Sequence, residues 1–272
     1  MPERKTDPVR GVLELGGGAP SRIRHDRYLA AEDLRPFVEH FWTVHWELTA
    51  QPPRAVSTLP HPSVHLVFDS QAGANLAGPS RARFQRELEG EGRVFAVKFR
   101  PGGFRPFLGA PVARLADTVV PGETVFGADF LALVEAIEAA STVDERVERI
   151  EPFLRARRGP HDPMVEVVSS LVDEIAREPG LTKVQDVASR AGVGTRTLQR
   201  LFSEYVGVSP KWVLQRYRLH EAADRLLAGT TDLATLALDL GYSDQAHFVR
   251  DFRLVVGETP GTYARRGREK SS

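Results

Sequence analysis

The sequence predicts an α+β chain. An N-terminal antiparallel β-barrel-like domain is followed by two helices, then by an all-α C-terminal domain with two helix-turn-helix units joined by a long helix. Three observations carry this. Short apolar-alternating runs broken by Pro and Gly fill the first part of the chain, which favours antiparallel strands. Helical spacing takes over from residue 129. Residues 182–266 state one pattern twice, about 50 residues apart. The first copy reads AGVGTRTLQRLFSEYVGVSP and the second GYSDQAHFVRDFRLVVGETP. Leu198, Arg200, Phe202, Gly207 and Pro210 in the first match Phe248, Arg250, Phe252, Gly257 and Pro260 in the second.

Residues 1–18 read as a loose arm ending in three glycines, and residues 32–38 as a short helix. An aromatic strand, FWTVHWEL, spans residues 41–48; HLVFD (65–69), NLAG (75–78) and RVFAVKF (93–99) are further strands. Phe95, Val97 and Phe99 alternate with smaller or charged neighbours, the pattern of a half-buried strand. Residues 129–140 place Phe130, Leu133, Val134 and Ile137 at helical spacing. The next helix starts at Thr142, with Glu145 completing a capping box, and runs to about residue 156. Apolar stripes on this pair, including Leu133, Ile137, Val147 and Ile150, are a candidate contact with a second copy. The basic segment RARRGPHD divides the chain into domains at 1–158 and 163–268, and Asp162-Pro163 opens the following helix.

In the first unit Thr182 and Gln185 are read as a capping box, and Gly192 supplies the turn. The helix over 195–205 turns Leu198, Leu201, Phe202 and Tyr205 to the core and Arg196, Gln199, Arg200 and Ser203 to another face. Arg and Gln are the side chains that fork onto guanine and adenine edges in a major groove. The second unit runs from Asp232, turns at Gly241-Tyr242 and restarts with Ser243 or Asp244 as cap. It buries Phe248, Phe252 and Val255 and leaves Gln245, Ala246, Val249, Arg250 and Arg253 outward. Between the units Ser209-Pro210 caps a helix reaching about residue 228, a strut of roughly 27 Å at ~1.5 Å per residue.

These motifs resemble the AraC/XylS family of bacterial transcription regulators over about residues 163–266. They are T-x4-VA-x3-G, LQRLF, G-VSP, GYSDQAHFVRDF and G-TP-x2-Y as they stand here. The resemblance implies sequence-specific binding of double-stranded DNA across two adjacent major grooves. It implies contacts from Thr195, Arg196, Gln199, Arg200, Gln245, Arg250 and Arg253, and admits RNA polymerase and a homodimer partner. Gly194 stands where that family usually has a Ser cap, and Ala246 and Val249 are apolar where some members carry polar readers. The first domain is similar to an uncharacterised domain often fused ahead of such pairs, through YLAAEDLRPFVEHFW, LPHPSVHLVFD and VKFRPGGFRPFLG. By analogy it senses an unidentified effector or dimerises the protein; the alternative is a protein-interaction module without a small ligand.

Candidate effector contacts are Trp42, Trp46, His61, His65, Lys98 and Arg100. Each has a plainer reading, as core aromatics, surface imidazoles or a tight strand-to-helix connection. Five of the eight His precede Leu66, yet their spacing gives no metal motif, and neither metal nor cofactor is expected. The absence of cysteine removes disulfides, zinc fingers and thiol nucleophiles. It also removes the acceptor that alkyl-transfer DNA-repair enzymes of this superfamily need, so a DNA-modifying enzyme is the weaker reading and a non-enzyme is expected. No apolar run reaches the ~18 residues of a membrane span, which makes the cytoplasm the expected location. Net charge is zero, and the last 110 residues carry 15 Lys/Arg against 14 Asp/Glu. Any electrostatic affinity for DNA must come from where the arginines sit.

Overall fold

The computed structural model describes residues 12–14, 22–178 and 180–271. The strands are β1 (Val12–Glu14), β2 (Ile23–Tyr28), β3 (Val38–Leu48), β4 (Arg54–Thr58), β5 (His65–Asp69), β6 (Gly73–Ala77), β7 (Phe84–Leu88), β8 (Gly90–Phe99) and β9 (Val119–Pro121). The helices are α1 (Arg105–Leu108), α2 (Glu123–Phe126), α3 (Asp129–Ala139), α4 (Val143–Arg157), α5 (Met164–Arg177), α6 (Val184–Arg190), α7 (Thr195–Leu201), α8 (Pro210–Leu227), α9 (Leu233–Asp239), α10 (Gln245–Val256) and α11 (Pro260–Ser271).

The N-terminal sheets are antiparallel but do not close into a barrel. One sheet has the order β2-β3-β8-β5-β6-β9, and a smaller one the order β1-β4-β7. The outer strands explain the opening. β2 carries Arg24, Asp26 and Arg27, and β9 ends in Pro121, which has no N–H to donate; charge and proline are what sheet edges carry. The arm expected over 1–18 contributes β1, paired with β4, and its other residues lie outside those described. The helix expected over 32–38 is a single 3₁₀ turn, Glu32–Leu34, because Pro36 cannot donate the next helical bond.

β8 is the axis of this domain, and it is buried on both faces, not one. Phe95, Val97 and Phe99 join Phe41, Leu66 and Phe68 in a core covered by α3 and α4, while Val94 and Ala96 join Trp46, Leu48 and Leu88 beneath the smaller sheet. The stripe residues Leu133, Ile137, Val147 and Ile150 belong to the first of these cores. They are at most 7% exposed, so they are not available to a second copy. The capping box at α4 is formed: the Thr142 hydroxyl accepts from Glu145 N at 3.2 Å, and the Glu145 carboxylate accepts from Thr142 N at 3.3 Å.

The helical part has a core for each helix-turn-helix unit, and buried residues cross between this part and the sheet domain. Leu59 from the sheet domain lies in the second unit's core, and Val165 of α5 lies in the sheet domain's core. Polar contacts follow the same seam. Arg83 donates to the Val256 carbonyl. Arg216 Nη2 donates to Arg81 O at 3.2 Å, and His220 Nε2 meets Pro60 O at 3.3 Å. Arg105 pairs with Glu204 at 2.6 Å and Arg100 with Asp173. The His61 and His220 rings pack with centroids 4.6 Å apart.

Gly207 follows the helical turn that extends α7 and has φ +87°; a Cβ there would lie 2.9 Å from Pro79 Cγ and 3.1 Å from Val112 O. Gly207→Ala is therefore expected to destabilise the chain by about 1–3 kcal/mol, read as a lower urea midpoint.

Burial, opposed by the Pro60 bond and aided by nearby Arg216 and Lys98, draws His220 down to about 4; burial and Lys98 draw His65 to about 3. Unfolded histidine binds its proton near pH ~6.5, so these rings resist protonation only in the folded chain. Their stabilisation is complete above that pH and is lost as pH falls through about 4 for His220 and about 3 for His65. Denaturation at pH 7.5 and 5.0 is expected to show a weaker protein at 5.0, and His220→Asn to shrink the loss by on the order of 1 kcal/mol.

Candidate nucleic-acid interface

Both units use a left-handed glycine to turn between helices, Gly192 at φ +64° and Gly241 at φ +73°. Thr182 does not cap α6: the cap position is Lys183, which makes no side-chain bond. Thr182 instead fills the space a Cβ on Gly241 would need, its Cγ2 only 2.5 Å from that position, so the start of the first unit touches the turn of the second. In the second unit Asp232 accepts from the N–H groups of Ala234 and Thr235, and Asp244 accepts from His247 N at 2.7 Å. The second turn has one residue more than the first, and it seats Tyr242 in the core, 4% exposed and 5.4 Å from the Phe248 ring.

α7 fixes its outward face by burying the opposite one. Leu198 and Phe202 are fully buried, while Arg196, Gln199, Arg200 and Ser203 are exposed and Thr195 is half-buried at the helix start. α10 buries Phe248, Phe252 and Val256; Val255, the residue expected from spacing, is only half-buried, because the stripe advances by four residues at its end. Gln245, Ala246, Arg250 and Arg253 are exposed. Val249 departs from the expected outward set, since it is half-buried against the second core. α8 is capped by the Ser209 hydroxyl, which accepts from Trp212 N, and spans 18 residues.

The arginines divide into two groups that composition does not separate. Arg190 is paired with Glu174 and Glu178, Arg225 with Glu221 and Asp239, and Arg266 with Glu258. Arg216 stacks on Trp212 and Arg218 on Tyr242. Arg196, Arg200, Arg250 and Arg253 are exposed on α7 and α10 and form no ion pair among the described residues. They leave positive charge on the outward faces of both helices.

Of the candidate effector residues, Trp42, His65 and Lys98 lie together, His65 standing opposite Lys98 across β5 and β8, while Trp46 and Arg100 lie apart. Trp46 is buried, donates to Glu89 O at 3.0 Å and is covered by Arg86. Trp42 Nε1 donates to His65 Nδ1 at 3.2 Å, and Lys98 is buried against Glu39 at 2.8 Å. His61 packs on His220, and Arg100 is tied to α5, where the Ser169 hydroxyl also donates to Pro101 O at 2.7 Å. The FRPGGF turn is thus the seat of α5. A cavity of about 280 Å³ lies elsewhere, between β5, β6, β8 and α3, and none of the six residues lines it. Among the described residues no cluster of three metal-ligating side chains occurs, and no helix is long and apolar enough to cross a membrane. Sequence patterning missed Leu59, Pro60, Arg81 and Arg83, turn residues whose contacts are all long-range.

Residues 187–266 match the family model of a helix-turn-helix domain, and residues 26–121 that of a domain of unknown function, DUF6597. A putative AraC-like transcription regulator of Streptomyces antibioticus is 34% identical over 98 residues, covering 36% of this chain and 32% of the relative. The probable transcription factor PqrA of Proteus vulgaris is 28% identical over 102 residues, covering 38% of this chain and 83% of its own. The solved structure of ToxT from Vibrio cholerae aligns over 90% of this chain and 98% of its own, at TM-score 0.38 and 11% identity. The match spans about a third of the Streptomyces relative. The paired turns and the outward faces of α7 and α10 thus lie in an AraC-type helix-turn-helix domain, preceded in the chain by a DUF6597 domain.

Proposed function

We propose that the chain is a sequence-specific DNA-binding transcription regulator whose residues 163–268 grip two successive major grooves, and whose residues 1–158 carry the regulatory input. The observation that carries this reading is the set of four unpaired arginines on two equivalent helices, each helix anchored by a buried opposite face. Thr195, Arg196, Gln199 and Arg200 act in one groove; Gln245, Arg250 and Arg253 act in the next. α8 at ~1.5 Å per residue is roughly 27 Å long, comparable to the ~34 Å of one DNA turn. The relatives named as transcription regulators support the same activity, and PqrA consists largely of the matched region. The sheet domain is suited to input because its turns contact both units.

Selection of the full chain on random duplex oligonucleotides tests the proposal. Enrichment of a motif with two half-sites about one helical turn apart, and affinity that falls steeply with salt, are the expected results. Binding without sequence preference removes the claim of specificity, and no binding at low salt removes the function.

The two faces are unequal. α7 offers three exposed polar readers, whereas α10 sets Gln245 and Arg250 beside Ala246 and a half-buried Val249. Arg200→Ala is expected to relax preference at one base pair by ~1–3 kcal/mol, while Arg250→Ala weakens all sequences alike and reduces the salt slope. Selection with each variant checks this, and the reverse pattern overturns the assignment.

A further inference from the structure

The 280 Å³ cavity has an apolar floor and a cationic wall. Phe68 and Phe95 from the sheet and Val134 and Ile137 from α3 form the floor, and Arg93 and Arg146 form the wall. Arg146 is only 8% exposed and meets no carboxylate; its Nε and Nη2 donate to Ile137 O and Ala140 O, at 3.4 and 2.8 Å. Arg93 Nη2 donates to Glu138 O at 3.0 Å. Both guanidiniums thus cap the end of α3, which by itself accounts for their position. It does not account for their charge. A helix end offers about half a negative charge, against two whole positive ones.

The carboxylates nearby are mostly committed. Asp69 is bonded to Arg86 and accepts from Gln71 N and Ala72 N, at 2.8 and 3.2 Å. Glu145 serves the cap of α4. Only Glu138 remains, exposed at the rim with no ion pair among the described residues. Burial first and then the neighbouring Arg93 act against the charged form of Arg146, with Glu145 opposing them, and an anion between the two arginines favours both charges.

We infer that this cavity binds a compact organic monocarboxylate, its carboxylate between Arg93 and Arg146 and its apolar body on Phe68, Phe95 and Val134. The volume sits at the lower end of the ~300–1,000 Å³ typical of drug-sized ligands, which limits the body to a single small ring or short chain. As the effector site, it rests on the reading that the sheet domain carries the regulatory input; as a binding site it stands alone.

Calorimetry on the full chain tests it with cyclohexanecarboxylate, the neutral cyclohexanecarboxamide, and acetate. The ring acid is expected to bind saturably, with the amide and acetate each about tenfold weaker or more. Arg93→Gln is expected to cost about tenfold, and Glu138→Gln to tighten binding by removing the rim charge. Arg146→Lys, which keeps charge but loses the fork, is a second variant should Arg93→Gln misfold. No saturable binding at millimolar acid overturns the site, as does an amide or acetate that binds as tightly. So does affinity unchanged in both arginine variants. DNA affinity is measured separately with and without the acid. Acid binding with unaltered DNA affinity upholds the site and removes its role as input, whereas acid binding in a chain that binds no DNA removes only the regulatory reading.

Discussion

Two turns of the sheet domain, one following β4 and one preceding β7, are wedged against the helix-turn-helix pair, and the relation of the two units depends on that wedge. Leu59 is buried in the second core, Pro60 accepts from α8 and Arg83 donates to the last carbonyl of α10. The last contact falls where a helix most needs one, since its final carbonyls have no partner within the helix and its dipole favours a cation there. Contacts between tandem domains are commonly modest and polar, which leaves the domains free to move. Here apolar residues cross in both directions, Leu59 one way and Val165 the other. Withdrawing a buried leucine or valine costs about 1.5–3 kcal/mol, so the docked arrangement resists casual opening.

A chain of zero net charge would not be picked out as a ligand for a polyanion. The structure resolves this by showing where the negative charges are spent. The carboxylates of α5, α8 and α9 hold Arg190 and Arg225, cations that lie away from the outward faces of α7 and α10. Asp251, the acid on α10 itself, accepts from Gln215 at 2.7 Å and lies 3.6 Å from His247. Asp244 is occupied as the helix cap. What remains on the outward faces is positive. Counterion release responds to such local charge and not to the balance of the whole chain.

The helical half was legible in the sequence because its signals are local. Caps at Asp232, Ser209 and Thr142, turn glycines and a spacing of three and four residues each act within one or two turns. Thr182 misled because its partner is Gly241, far along the chain. The sheet half was legible only in its interior. HLVFD and RVFAVKF announce themselves by apolar content, while β2, β4 and β7 are rich in charge and hydroxyl and carry little apolar alternation. β8 was taken for one-faced because covering by a second sheet leaves no periodic trace. The same limit applies to sites: the outward faces of α7 and α10 follow from helical spacing, whereas of the residues proposed for an effector Trp42, His65 and Lys98 come together through strand pairing and Trp46 and Arg100 do not.

The small sheet has contacts both with a residue that lines the cavity and with the helix-turn-helix pair. β4 and β7 pair antiparallel with Thr58 opposite Phe84. Leu59 follows the first directly, and Arg83 precedes the second. Both wedge turns therefore hang from the same end of one ladder. Two residues along β7, opposite Val56, Arg86 reaches across to Asp69, which borders the cavity. The ion pair is largely shielded from water, with Asp69 5% and Arg86 22% exposed, so it responds to charge placed beside it more strongly than a surface pair does. An anion held at Arg93 and Arg146 would repel the Asp69 carboxylate, whose partner is Arg86. Arg86 also stacks over Trp46 at 5.1 Å, which ties the same side chain to the core under the small sheet. The strand whose Arg86 reaches Asp69 at the cavity is thus also the strand that Arg83, at the end of α10, directly precedes.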